Sequence, residues 1–101
     1  MSDDEILGGD ADPTRFDLPA QSDVRVAGDV HARCRSALEA SGDVRIDCGA
    51  VERVDAAVLQ CLWALADGLR QGERSLEIVD RTASFDGAVA ALGFEELLGA
   101  R

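Results

Sequence analysis

From Thr14 to Leu98 the apolar residues switch repeatedly between a two-residue period and a three-to-four-residue period. That alternation restricts the fold more than any other feature, because the first period belongs to a half-buried strand and the second to an amphipathic helix. Thr14-Arg15-Phe16-Asp17-Leu18 alternates polar and apolar, and Pro19 ends the run. Asp23 stands where it can cap a helix in which Ala27, Val30, Cys34, Ala37, Leu38 and Ser41 form one apolar stripe, stopped by Gly42. Val44-Arg45-Ile46-Asp47-Cys48 alternates again. Gly49 to Val54 reads as a loop, and Asp55 as the N-cap of a helix over Ala56 to Gln71 that Gly72 ends. Leu76 to Val79 reads as a third strand and Thr82 to Leu92 as a third helix with Gly93 as its stop. Phe94 to Leu98 adds a last helical turn. A further strand around Glu5-Ile6-Leu7 is not counted.

The resulting order, β-α-β-α-β-α-α with short connections, predicts an α/β fold: a small sheet with parallel neighbours and right-handed crossovers, covered by helices. A chain of 101 residues supports one core. Residues 1–12 (MSDDEILGGDAD) read as an acidic flexible leader, and residues 13–101 as a single domain. Within the strongest helix, Val58, Leu62, Leu65 and Leu69 share a face flanked by Leu59 and Ala66. Leu59, Leu62, Leu65 and Leu69 are expected to be buried against Val44, Ile46, Leu76 and Ile78. On the adjacent face Ala57, Cys61, Ala64 and Gly68 form a stripe of small residues. It suits either a neighbouring helix of the same chain or a docking groove for a partner helix. Trp63 falls between the core stripe and the polar side, as an interface anchor or as a core-edge residue.

Charge excludes several functions. The formal net charge is −10, and all ten basic residues are arginines. Five acids and no base fall in residues 1–12, so half of that charge sits in the leader. Nucleic-acid binding and attraction to anionic membrane surfaces both need an excess of cations, and here acids outnumber arginines twenty to ten. No apolar run is long enough to span a membrane, so membrane insertion is not expected. The acidic N-terminus is unlike a secretory signal, which points to the cytoplasm. Cys34, Cys48 and Cys61 form no CxxC pair and cannot all pair internally, so they are expected to be reduced, inert packing residues. With His31 as the single histidine, no metal site is expected.

Catalysis finds little support. His31 lies mid-helix among arginines and reads as a surface or edge residue. No nucleophile elbow, Walker A or GxGxxG motif occurs, and a chain without lysine has neither a P-loop lysine nor a Schiff-base residue. Glu95-Glu96 reads as a solvated face. Asp55, between a strand and a helix, could suggest the phospho-acceptor of a receiver domain. That chemistry also needs an acidic pair after the first strand, where this chain has Pro19-Ala20-Gln21, and a later lysine.

The stretch Val44-Arg45-Ile46-Asp47-Cys48, a loop to Val54-Asp55, then Ala56-Ala57-Val58-Leu59-Gln60 resembles the signature of STAS domains, the anti-sigma-factor antagonists and their relatives. Leu76 to Val79, Thr82 to Leu92 and Gly93-Phe94-Glu95-Glu96-Leu97-Leu98 fit the same pattern, so the resemblance spans Thr14 to Leu98. It is similar to the short subtype, seen in lipid-transport complexes and beside chemotaxis genes. The resemblance implies a non-catalytic protein-interaction module of bacterial signalling, chemotaxis-linked or in sigma-factor partner switching, that needs no cofactor. It further implies a signalling kinase or anti-sigma factor as partner; the alternative is an accessory subunit that docks on the ATPase of a lipid-transport complex. The partner-binding residues it implies are Asp55, Ala56, Ala57, Gln60, Cys61 and Ala64. In the family a Ser or Thr follows the Asp and carries the regulatory phosphate. Here that position is Ala56, which has no hydroxyl. Thr82 and Ser84, hydroxyls near a helix start, read as N-capping residues.

Overall fold

A computed structural model describes residues 14–99. Strands β1 (Thr14–Asp17) and β2 (Gln21–Ser22) precede helix α1 (Ala27–Glu39); β3 (Val44–Asp47) and β4 (Arg53–Val54) precede α2 (Ala56–Gln71). Strand β5 (Leu76–Val79), α3 (Ala83–Leu92) and α4 (Glu95–Gly99) follow. The expected mixed α/β architecture with a small parallel sheet is present. The leader and the uncounted strand near Ile6 lie outside the described residues.

The main sheet has the order β1-β3-β5, all parallel, with Phe16 beside Ile46 and Ile46 beside Ile78. Both crossovers step in the same direction across the sheet. Right-handed connections therefore place α1 and α2 on one face. Toward that face point Phe16, Val44, Ile46 and Leu76, all buried, and Ile78, half-buried. Leu59, Leu62, Leu65 and Leu69 of α2 are buried as expected, as are Val58 and Ala66. The opposite face carries Arg15, Arg45 and Glu77 in one cross-strand row. Arg45 Nε donates to Glu77 Oε1 at 3.0 Å. Parallel sheets are commonly apolar on both faces. This one is small enough for polar side chains to finish its outer side.

The structure adds one pairing to the expected elements. Residues 49–54 do not form only a loop: Arg53-Val54 pairs in parallel with Gln21-Ser22 as a second, two-stranded sheet. Two residues contain too little pattern to announce a strand.

The helix ends also differ in part from expectation. Asp23 does not cap α1. The N-cap is Val26, without a side-chain cap bond, and the Asp23 carboxylate instead accepts from Arg25 within the preceding turn. Gly42 does adopt a left-handed conformation, at φ 90°, but α1 has already ended at Glu39. Its last carbonyls are closed from afar: the Arg74 guanidinium donates to Ala37 O and Leu38 O at 2.9 Å, and to Gly42 O at 2.6 Å. At α3 the expectation for Thr82 holds. Its Oγ1 accepts from Phe85 N at 3.1 Å and donates to Val51 O at 2.8 Å, tying the helix to the β3–β4 connection. Ser84 is an exposed residue inside α3 rather than a cap. Gly93, at φ 80°, ends that helix, with Phe94 N donating to Val89 O.

Candidate partner-binding site

The start of α2 is positioned by the small β2–β4 sheet. Asp55 N donates to Ser22 O at 3.0 Å, so the chain leaves β4 alongside β2 and turns directly into the helix. Asp55 occupies the N-cap position with extended backbone (φ −101°, ψ 164°), as the sequence suggested, but its side chain makes no cap bond. Its Oδ1 accepts instead from Arg53 Nε at 3.3 Å. The N–H groups of a helix's first turn point out along the axis.

The six residues expected at the binding face divide into two groups. Gln60 and Ala64 are exposed, and Asp55 and Ala56 are half-buried around the helix start. Ala57 and Cys61 are half-buried on the side of α2 nearer α1, and Cys61 Sγ lies 3.9 Å from Ala27 O. Further along the same stripe, Gly68 packs against Leu38. At Cys61 and Gly68, then, the small-residue stripe is a seam with a helix of the same chain. Ala64 stands outside it. Trp63 is 38% exposed, beside the outward row of Ala56, Gln60, Ala64 and Asp67.

Sequence reasoning missed the segment on the other side of this face. Ser22 lies beside Asp55 and Ala27 beside Cys61, so residues 23–26 run between a point at the N-cap of α2 and one at its second turn. The Asp23 carboxylate is buried, and hydrogen bonding from Arg25 holds it below its ordinary pKa against the burial that would raise it. Val24, between them, is 68% exposed. An apolar residue between two charges in a non-periodic stretch was the only sequence signal.

Other potential sites are bland. His31 is exposed on α1. Cys34 and Cys48 are buried, and burial pushes both thiols up to about 12; Cys61 is half-buried and shifted in the same direction by the same cause. All three are free thiols. A cleft of about 430 Å³ runs along the open edge of β5, lined by Leu76, Ile78, Arg81, Leu97 and others, and one of about 320 Å³ lies between β1 and α1. Neither includes the start of α2. Among the described residues no group of three or more His, Cys, Asp or Glu side chains is arranged to hold a metal ion, and no helix is long and apolar enough to cross a membrane.

A parallel sheet backed on one side by two helices, with the second helix opening to solvent at its start, defines a small α/β domain of recognisable class. A family model described as Mlab, STAS domain matches residues 9–99, and the chain belongs to the STAS domain family. Domains of this family generally mediate protein–protein interactions, in the manner of the anti-sigma antagonists, and are generally non-catalytic. Neither the curated proteins nor the solved structures give a significant match to the chain.

Proposed function

We propose that this protein is a non-catalytic interaction module of bacterial signalling that binds its partner through the start of α2. The face comprises Asp55, Ala56, Ala57, Gln60 and Ala64, with the half-buried Cys61 at its border with α1, and takes a chemotaxis-linked or sigma-factor partner such as a signalling kinase or anti-sigma factor. The observation that carries this reading is the outward side of α2, where Gln60, Trp63 and Ala64 are exposed on a helix whose other faces are packed. Exposed aromatic side chains next to small residues supply contact area without blocking close approach.

Regulation departs from the family pattern. A phosphate at a helix start is well received by the unpaired N–H groups, and in hydroxyl-bearing relatives its charge and bulk oppose docking. Ala56 cannot accept one. Binding here is therefore constitutive toward any serine/threonine kinase acting at this position.

The test is a pull-down from the native cells, followed by titration of the captured protein with wild type and Ala56→Glu. The variant should fold normally, because the helix dipole favours a carboxylate in the first turn by about 0.3–1 kcal/mol. It should bind more than about tenfold more weakly, or about 1.4 kcal/mol. Equal binding by a folded variant would refute the proposed face. The identity of the captured protein separates signalling from the second role carried by the resemblance: a transporter ATPase in its place assigns the module to a lipid-transport complex.

A further inference from the structure

We infer that Val24 is an anchor of the partner interface, held in place by the Asp23–Arg25 clamp, and that it enters an apolar pocket bordered by carboxylates on the partner. The inference rests on the reading of the α2 start as the binding face.

An exposed valine alone carries no message, since single apolar side chains are common on protein surfaces. Three further observations set this one apart. The first is rigidity. Arg25 N donates to Asp23 Oδ1 at 3.0 Å, and the Arg25 guanidinium donates to Asp23 Oδ2 at 2.7 Å. Val26 N bonds to Asp23 O at 3.0 Å and Ala27 N to Val24 O at 3.3 Å. Val24 is therefore presented at the tip of a hydrogen-bonded turn, where little conformational freedom remains to be lost on docking.

The second is position. The bond from Asp55 N to Ser22 O and the contact of Cys61 Sγ with Ala27 O tie the two ends of residues 23–26 to the N-cap and the second turn of α2. Val24 thus belongs to the same end of the molecule as Ala56. The third is charge. In a chain of net charge −10, two outward arginine side chains flank this spot, Arg25 at 78% and Arg53 at 62% exposure. Among the described residues each is joined to one aspartate, and a guanidinium carries five N–H donors, more than one carboxylate engages, so both can also donate to carboxylates across an interface.

Photo-crosslinking tests this. A benzophenone amino acid replaces Val24, Gln60 or, as a control, the exposed Leu92, in the full chain expressed in its native cells. Positions 24 and 60 should give an adduct of the same mass, and position 92 should not. The attachment site reached from position 24 should be apolar, with Asp or Glu within four residues. Arg53→Gln, which leaves the Asp23–Arg25 clamp whole, should lower the yield from position 60 at least threefold. An adduct from position 60 without one from position 24 overturns the anchor and spares the α2 reading. No adduct from either overturns both. An equal adduct from position 92, an attachment site flanked only by Lys or Arg, or no effect of Arg53→Gln also counts against the inference.

Discussion

A methyl group placed on Gly68 would lie 2.7 Å from Leu38 Cδ2 and 2.8 Å from Leu38 Cδ1, so the missing side chain on α2 and the leucine on α1 form one packing unit. With Cys61 beside Ala27, the pair shows that α1 and α2 run in the same direction along a close seam. Gly68→Val should cost about 1–3 kcal/mol, as overpacking does. In a Leu38→Ala background most of that penalty should vanish. Urea unfolding of the four proteins of this cycle measures the coupling, which should exceed about 0.5 kcal/mol.

Leu62 is fully buried beneath the sheet-facing side of α2, while Trp63, its neighbour in sequence, is 38% exposed. Leu62→Ala should destabilise by about 2–5 kcal/mol. At roughly 4–8 °C per kcal/mol for a domain of this size, the melting temperature should fall by at least about 8 °C. Trp63→Ala should have a much smaller thermal effect and a larger one on partner affinity. A melt unchanged by Leu62→Ala would contradict the packing of α2 on the sheet.

Arg74 closes the end of α1 by donating to three carbonyl groups from a loop more than thirty residues later. Its removal leaves those carbonyls without the fork. Arg74→Ala should cost about 1–3 kcal/mol, in line with charge-assisted hydrogen bonds. Arg74→Lys should recover only part of that, because an ammonium lacks the planar fork. Hydrogen exchange should quicken at the Ala40 amide, which bonds to Ser36 O in the last turn of α1.

The thiols of Cys34 and Cys48, pushed up to about 12 by burial, tie stability to high pH. In the unfolded chain a thiol ionises near about 8.5. Between that pH and about 12 the unfolded state has lost a proton that the folded state keeps. The stabilisation is therefore complete below the unfolded pKa and is lost as pH rises, by up to about 1.4 kcal/mol per pH unit for each thiol. Urea unfolding from pH 8 to 11 should show this decline, and a Cys34→Ala, Cys48→Ala double variant should flatten it. Native labelling at pH 8 should modify Cys61 first and the other two only after denaturation.

The apolar periods alone determined the order of the main-sheet strands and the helices, the core face of α2 and the parallel sheet, because burial of a periodic stripe is a local property that each segment carries in its own residues. The sequence also placed the Asp55-Ala56 helix start, since a strand, a short connection and a strong helix leave few alternatives for it. Tertiary structure decided what depends on residues far apart in the chain. The β2–β4 pairing joins two dipeptides with no period of their own, and Arg74 reaches back to a helix end that Gly42 had seemed to explain. Asp23 turned from a helix cap into the clamp of Arg25, because a carboxylate can bond to a guanidinium as well as to an amide and only the folded turn selects between them. Likewise the stripe of Ala57, Cys61, Ala64 and Gly68 fits two kinds of neighbour. Its closure onto α1 at Cys61 and Gly68 was fixed by the direction in which the two helices pack, which no single segment contains.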